Sequence, residues 1–340
     1  MTEGLLAECA RRCLPALEGV PLEIERIPGG GNNRLYRIAT PDGRFALKHY
    51  FHHPEQPRDR LGSEFVFLAH AWDGGVRCIP RPFGKDEDRG AGLYGFVPGR
   101  QVAAAEVGRT DVLQALDFLA AVNAPRAGAR ALGPASEACF SVEAHIQMLE
   151  GRIGRLLAME VRDDLDAEAA RLVRQELEPA WRQLRASIQS RLRSEAPPPW
   201  ALSFGAANRV ISPSDFGFHN ALRGEDGRLA FLDFEYAGWD DPAKLVCDFF
   251  FQMAVPAPRR CFDEFARGVA ALVPDGAGTL ARVELLRPLF GLKWCCIVLN
   301  HFTRIDLARR AFAASDAPNR KAGQLEKARR LLDGISWKGE

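Results

Sequence analysis

Two carboxylates and an amide at fixed spacing define the chemistry open to this chain. Asp215 and Asp233 lie 18 residues apart, and Asn220 follows Asp215 by five. They sit in the run Ser-Pro-Ser-Asp-Phe-Gly-Phe-His-Asn-Ala-Leu-Arg (212–223), the acidic turn Gly-Glu-Asp-Gly (224–227) and the run Arg-Leu-Ala-Phe-Leu-Asp-Phe-Glu (228–235). A Gly-flanked acidic turn between two apolar runs is a hairpin signal. Folding about Glu225–Asp226 predicts Asn220 opposite Phe231, with Asp233 within about two residues of the position facing Asn220. An amide oxygen and a carboxylate then converge at the mouth of the hairpin. Hard cations such as Mg²⁺ take oxygen ligands of this kind, completed by water and phosphate. With Asp215 on the connecting loop, the spacing is that of a phosphoryl-transfer loop: one carboxylate for a hydroxyl proton, an amide and a second carboxylate for metal.

Upstream residues fit the same chemistry. Lys48 ends the predicted strand Phe45-Ala46-Leu47-Lys48-His49-Tyr50, where period 2 places Ala46 and Lys48 on one face and Phe45 and Leu47 on the other. A flat base could pack on Ala46 while Lys48 reaches phosphates; a strand-end lysine pointing to water is the other reading. On the predicted helix 59–72, Leu61, Phe65, Leu68 and Trp72 form an apolar stripe, and Glu64 lies on or beside it. A carboxylate there is costly unless paired, and Lys48 is the obvious partner. Gly29-Gly30-Gly31-Asn32 between two strands can bring backbone N–H groups close to phosphates, or can simply be a turn. Gly95-Phe96-Val97 closes an apolar strand before Pro98-Gly99, where backbone groups can pair with an adenine edge; an ordinary buried strand reads the same.

These residues need a small sheet and a helical body to hold them. Helix 3–18, strands near 22–28, 34–40 and 45–50, helix 59–72 and extended runs near 78–83 and 92–97 make a small antiparallel sheet with one helix. Beyond Pro98-Gly99 helices dominate, near 110–122, 142–160, 165–193, 243–254, 260–272, 280–301, 303–313 and 318–334.

At this point the chain resembles the aminoglycoside phosphotransferase and choline kinase branch of the protein-kinase-like fold. That family's catalytic loop typically reads His-Gly-Asp, four residues and Asn, with Ile-Asp-Phe/Trp-Glu downstream. The counterparts here are Pro213-Ser214-Asp215 through Asn220 and Leu232-Asp233-Phe234-Glu235. The resemblance runs from Gly29 to about Asp248. It implies an α+β, two-lobed fold: residues 1–97 as a nucleotide-binding lobe with a small antiparallel sheet, and 98–340 as a larger, mainly helical lobe. It also implies an ATP-dependent phosphotransferase that moves the γ-phosphoryl group to a hydroxyl of a sugar, aminoglycoside or amino alcohol. Lys48 and Glu64 would be its phosphate-anchoring pair, Asp215 its base, and Asn220 and Asp233 its Mg²⁺ ligands. Three departures stand out. Pro213 replaces the bracing His, with His219 a candidate substitute. The usual Asp-Pro-x-x-Asp-Leu run is Asp241-Pro242-Ala243-Lys244-Leu245, with Asp248 further along. The Gly-rich loop is variant. A catalytically impaired nucleotide-binding pseudokinase is therefore the alternative.

Composition narrows the partners. The 340 residues, 47% hydrophobic, suffice for one large domain or two lobes. The formal net charge of +1 gives no global field that selects nucleic acid or membrane. Residues 251–340 hold 15 Lys+Arg against 9 Asp+Glu, which weighs against a polycationic acceptor. Trp200, Trp239, Trp294 and Phe302 could cage a choline-like cation or simply fill the core. Eight cysteines without a Cys-x-x-Cys pair predict a reduced, cytoplasmic protein. The first residues carry no basic n-region, and no run reaches 18 uncharged apolar residues, so neither a signal peptide nor a membrane span is expected. Oligomeric state is not legible.

Overall fold

The computed structural model describes residues 2–28, 33–52, 58–124, 131–194, 203–303, 312 and 321–335. By internal contacts the chain divides into two compact units. The first is Met1–Ser136 with Pro213–Gly238 and Ala308–Asp316; the second is Glu137–Ser212 with Trp239–Leu307 and Ala317–Glu340. The hairpin that carries Asn220 and Asp233 therefore belongs to the same unit as the strand that carries Lys48.

In the first unit, α1 (Glu3–Cys13) is followed by strands β1 (Glu23–Ile27), β2 (Arg34–Thr40) and β3 (Gly43–His49). Next come α2 (Arg60–Asp73), β4 (Pro82–Asp86), β5 (Ala91–Gly95), the short β6 (Arg100–Gln101) and α3 (Arg109–Asn123). The main sheet has the antiparallel order β1-β2-β3-β5-β4. Leu6, Cys9, Ala10 and Cys13 line one stripe of α1 and bury it against Tyr36, Ile38, Leu47 and Leu93. Close approach is needed there: a Cβ at Gly84 would lie 1.9 Å from the Cys13 carbonyl oxygen. Alternation then sends Ala46, Lys48, Gly92 and Tyr94 to the other face, with Lys48 paired to Gly92 and Ala46 to Tyr94.

Two expectations shift. The strand predicted near 78–83 begins at Pro82, and the Cys78 carbonyl is instead taken by the Phe231 N–H (2.8 Å). On α2 the buried positions are Arg60, Leu61, Glu64, Phe67, Leu68 and Ala71, so the inward face is centred on Glu64, and Phe65 and Trp72 are only half-buried. The Asp59 side chain caps this helix by accepting from the Gly62 N–H at 2.7 Å.

The hairpin that carries Asn220 pairs Ala221–Arg223 with Leu229–Phe231, and β6 adds a third strand. Ala221 faces Phe231, one residue from the predicted register, so Asn220 faces Leu232 and donates nothing to Phe231. α3 locks the hairpin in place. Asp111 pairs with Arg223 at 2.9 Å, Gln114 accepts from the Leu229 N–H at 2.9 Å, and Phe118 stacks on Phe216 and Phe231.

The second unit is helical: α4 (Val142–Leu157), α5 (Asp164–Leu172), α6 (Glu178–Ser194), α7 (Pro242–Phe251), α8 (Phe262–Ala270), α9 (Gly276–Leu299) and α10 (Lys321–Asp333). The single helix predicted over 165–193 is two helices joined by a π-turn at Val173–Leu177. α9 starts four residues early because Asp275 caps it, accepting from the Gly278 N–H at 2.8 Å. The predicted helix 303–313 lies outside the described residues apart from Thr303 and Phe312, and so does Trp200.

Buried charges knit these helices. Lys244 pairs with Asp240 (2.6 Å), and Lys293 with Asp248 (2.7 Å), which also accepts from the Trp294 indole (2.9 Å). Asp248 is thus neutralised inside the helical unit. Asp241 accepts from His145 (3.0 Å) and from Arg282 (3.2 Å), all three fully buried. Burial pulls the His145 imidazole down, but the Cys139 sulfur and Asp241 outweigh it and bring it up to about 9. Its unfolded value is about 6.5, so the pair's contribution is complete below that pH and is lost as pH rises through about 9. His145→Gln keeps an amide donor for Asp241 without the titration. Urea midpoints should fall from about pH 7 to about pH 9 in the wild type and stay flatter in the variant. Parallel declines would remove His145 as the source.

Candidate active site

Lys48 is the hub of the site. Its ammonium donates to Glu64 Oε2 at 2.6 Å and to Asp233 Oδ1 at 2.5 Å. A strand lysine, a helix carboxylate and a hairpin carboxylate, far apart in sequence, thus meet at one nitrogen. Burial alone would lower the Lys48 pKa, but Asp233 and Glu64 reverse this and hold it well above its ordinary value. The lysine is therefore a permanent cation. Glu64 is buried, and its other oxygen accepts from the Phe234 N–H (3.1 Å), tying α2 to the backbone beside Asp233.

Aromatic rings flank the Asp215–Asn220 loop. Phe67 of α2 stacks on Phe234 at 4.5 Å, Phe118 on Phe231 at 4.8 Å, and Phe216 contacts Phe231 at 5.1 Å. Burying such rings orders the backbone on either side of Asp215 and Asp233. Ser214 (φ 68°) and Asp233 (φ 65°) adopt left-handed conformations that non-glycine residues rarely take. Strained positions of this kind cluster where the surroundings must aim a side chain. The Asn220 amide nitrogen donates to the Asp215 carbonyl at 3.0 Å, and the Asn220 carbonyl accepts from the Leu232 N–H at 2.8 Å. These bonds bring Asp215, Asn220 and Asp233 to one end of the hairpin.

Where the related loops carry a His, this chain has Pro213, and the structure puts His219 against the aspartate: Nε2 lies 3.3 Å from Asp215 Oδ1. Burial lowers the His219 pKa, but Asp215 and then Asp233 outweigh it and raise it. The imidazole approaches from the C-terminal side of the loop, four residues after Asp215.

Several contributors were not singled out from sequence. Glu235 is fully buried, accepts from the Asn33 amide at 2.6 Å and lies 3.7 Å from Arg60. Asn33 in turn accepts from the Phe51 N–H at 3.0 Å. The Arg58 guanidinium donates to the carbonyls of Glu235, Ala237 and Pro134. Tyr50 donates to Glu64 Oε2 at 2.7 Å. The partners of Tyr50 and Glu235 lie on other elements, so no local pattern pairs them. Ala46 shares the face of Lys48, and Gly95, Phe96 and Val97 are half-buried at the end of β5, with the Gly95 N–H bonded to the Arg81 carbonyl (2.8 Å). Gly29, Gly30, Gly31 and Asn32 lie outside the described residues.

The donor set suits a hard cation. With the Asn220 nitrogen turned to the Asp215 carbonyl, its side-chain oxygen is the atom left to act as an acceptor. Among the described residues no cluster of three or more His, Cys, Asp or Glu forms a closed cage. One amide and one carboxylate fit Mg²⁺, which usually keeps water and substrate phosphates in its shell.

The sequence profile of the phosphotransferase enzyme family matches residues 23–286. The chain belongs to that family. Solved structures align over nearly its whole length. Choline kinase LicA from Streptococcus pneumoniae is 14% identical, with a TM-score of 0.57 over 95% of this chain and 97% of that one. A spectinomycin phosphotransferase in complex with ADP and spectinomycin is 12% identical, with a TM-score of 0.54 over 94% and 98%. A macrolide 2'-phosphotransferase from Brachybacterium faecium is 20% identical, with a TM-score of 0.51 over 93% and 97%. At these identities the likeness establishes the fold, which is protein-kinase-like and α+β, as the sequence motifs implied. No curated protein matches the chain in sequence. Small-molecule phosphotransfer, the chemistry read from the catalytic loop, is the activity of this family. No helix among the described residues is long and apolar enough to cross a membrane, and the eight cysteines are free thiols.

Proposed function

We propose that this phosphotransferase uses ATP with Mg²⁺ and transfers the γ-phosphoryl group to a hydroxyl of a small molecule. The observation that carries this reading is the convergence of Glu64 and Asp233 on Lys48, beside the Asp215–Asn220 loop. The ADP bound to the related spectinomycin enzyme supports a nucleotide donor. Residues 1–97 are assigned to the nucleotide and 98–340 to the catalytic loop and the acceptor.

Each side chain has a role that follows from its surroundings. Lys48, kept cationic and aimed by Glu64, donates to phosphate oxygens. Asn220 and Asp233 would hold the metal, which would supply charge neutralisation at the phosphates when bound. Asp215 orients the acceptor hydroxyl and receives its proton, and His219 takes over the bracing of Asp215. Most of the rate enhancement comes from positioning and preorganised charge, since phosphoryl transfer asks little covalent chemistry of a protein. The end of β5, at Gly95-Phe96-Val97, is assigned to the base, with Ala46 against its face.

Release of ADP from ATP–Mg²⁺, with and without a panel of sugars, aminoglycosides and amino alcohols, tests the reading. Acceptor-stimulated ADP release that stops when EDTA is added is the expected result. A protein that binds ATP yet transfers to no member of the panel, with Asp215→Ala indistinguishable from wild type, would instead be a nucleotide-binding pseudokinase.

A further inference from the structure

Tyr50 and Tyr94 form a buried chain of hydroxyls that ends on the carboxylate pairing with Lys48. The Tyr94 and Tyr50 hydroxyl oxygens are 2.7 Å apart, and the Tyr50 hydroxyl donates to Glu64 Oε2 at 2.7 Å. That same oxygen receives the Lys48 ammonium at 2.6 Å. The Lys48 nitrogen also lies 4.9 Å from the centre of the Tyr50 ring. Both tyrosines and Glu64 are buried, so water is not there to replace either hydroxyl.

The chain has room because of a glycine. β5 places Gly92 opposite Lys48 and Tyr94 opposite Ala46, on the same face. The Tyr94 ring lies back along β5, and a Cβ on Gly92 would come within 2.4 Å of its hydroxyl oxygen. Burial and then the Glu64 carboxylate push the Tyr50 phenol well above its ordinary pKa, which favours the protonated, donating form.

We propose that Tyr50 and Tyr94 are positioning residues that set the reach of Lys48 toward the nucleotide phosphates by fixing Glu64. The proposal rests on the assignment of Lys48 as the phosphate anchor. Glu64 Oε2 accepts from two groups of different mobility: an ammonium on a four-carbon stem and a rigid phenol. The phenol holds the carboxylate in place when Lys48 turns to phosphate. Tyr94 reaches Glu64 through Tyr50. Without the phenol, Glu64 is free to follow the lysine, and the lysine loses a fixed pivot.

Phosphate-dependent affinity separates this role from simple packing. Binding of ATP–Mg²⁺ and of adenosine would be measured by titration calorimetry and competition for wild type, Tyr50→Phe, Tyr94→Phe, the double variant and Gly92→Ala, with thermal melts to confirm folding. Tyr50→Phe should weaken ATP by about tenfold, the equivalent of one hydrogen bond to a charged group, and leave adenosine unchanged. Tyr94→Phe and Gly92→Ala should weaken ATP less, and Tyr94→Phe should add nothing to Tyr50→Phe, because it acts through it. In a Lys48→Ala background, Tyr50→Phe should have no further effect on ATP. Equal loss of ATP and adenosine, unchanged ATP affinity, or full additivity in the Lys48→Ala background would each overturn the relay. A wild type that binds ATP no better than adenosine would overturn the assignment of Lys48 itself.

Discussion

Asp233→Asn is expected to abolish Mg²⁺-dependent turnover, by about 10²–10³-fold or more, while the protein still melts near the wild-type temperature. The carboxylate sits at the open end of the hairpin, one-third exposed, where it accepts from Lys48 and shares the site with Asn220. An amide cannot supply the negative charge that binds a hard cation, although it keeps the shape of the side chain. The fold should tolerate the change because Lys48 keeps Glu64 as a partner, and the Phe67, Phe118, Phe231 and Phe234 rings still hold the loop. Melting curves and a coupled assay for ADP decide the matter. Undiminished ADP production would remove Asp233 from the site.

Asp215→Ala should remove transfer by about 10²–10⁴-fold and barely alter ATP affinity, whereas Lys48→Ala should show the opposite balance, with nucleotide binding clearly weakened. The asymmetry follows from position. Asp215 contacts His219 and the loop, while Lys48 lies on the strand that precedes it in the unit by many residues and carries the cation. A general base contributes when the hydroxyl proton leaves; a fixed cation contributes as soon as the phosphates arrive. Calorimetric titration with ATP–Mg²⁺ and single-turnover transfer to an identified acceptor separate the two effects. Equal loss of binding in both variants would show that the loop, and not the base, had been damaged.

The short-range pattern already carried much of this protein. Alternation along Phe45–Tyr50 sorted Lys48 to a different face from Leu47, and the Gly-Glu-Asp-Gly turn placed the hairpin within one residue of its register. Both are local consequences of strand geometry and turn chemistry. The start of α9 was missed because its cap was not weighed: the helix begins after Asp275 and not at the first apolar repeat. The spacing of Asp215, Asn220 and Asp233 pointed to phosphoryl transfer, because a kinase-type loop carries a carboxylate for the hydroxyl proton, then an amide and a second carboxylate for metal.

What the chain could not show from its sequence is which polar atoms meet. Asn33 reaches Glu235, and Tyr94 reaches Glu64 through Tyr50; these partners come from other elements. Periodicity reports the face a side chain occupies and carries no information on the hydroxyl or amide across from it. The same limit applies to Lys244 and Lys293, which local pattern would leave at solvent and which the fold buries against Asp240 and Asp248. A charge can be buried only where another element brings its counter-charge, and that pairing is decided when the elements pack.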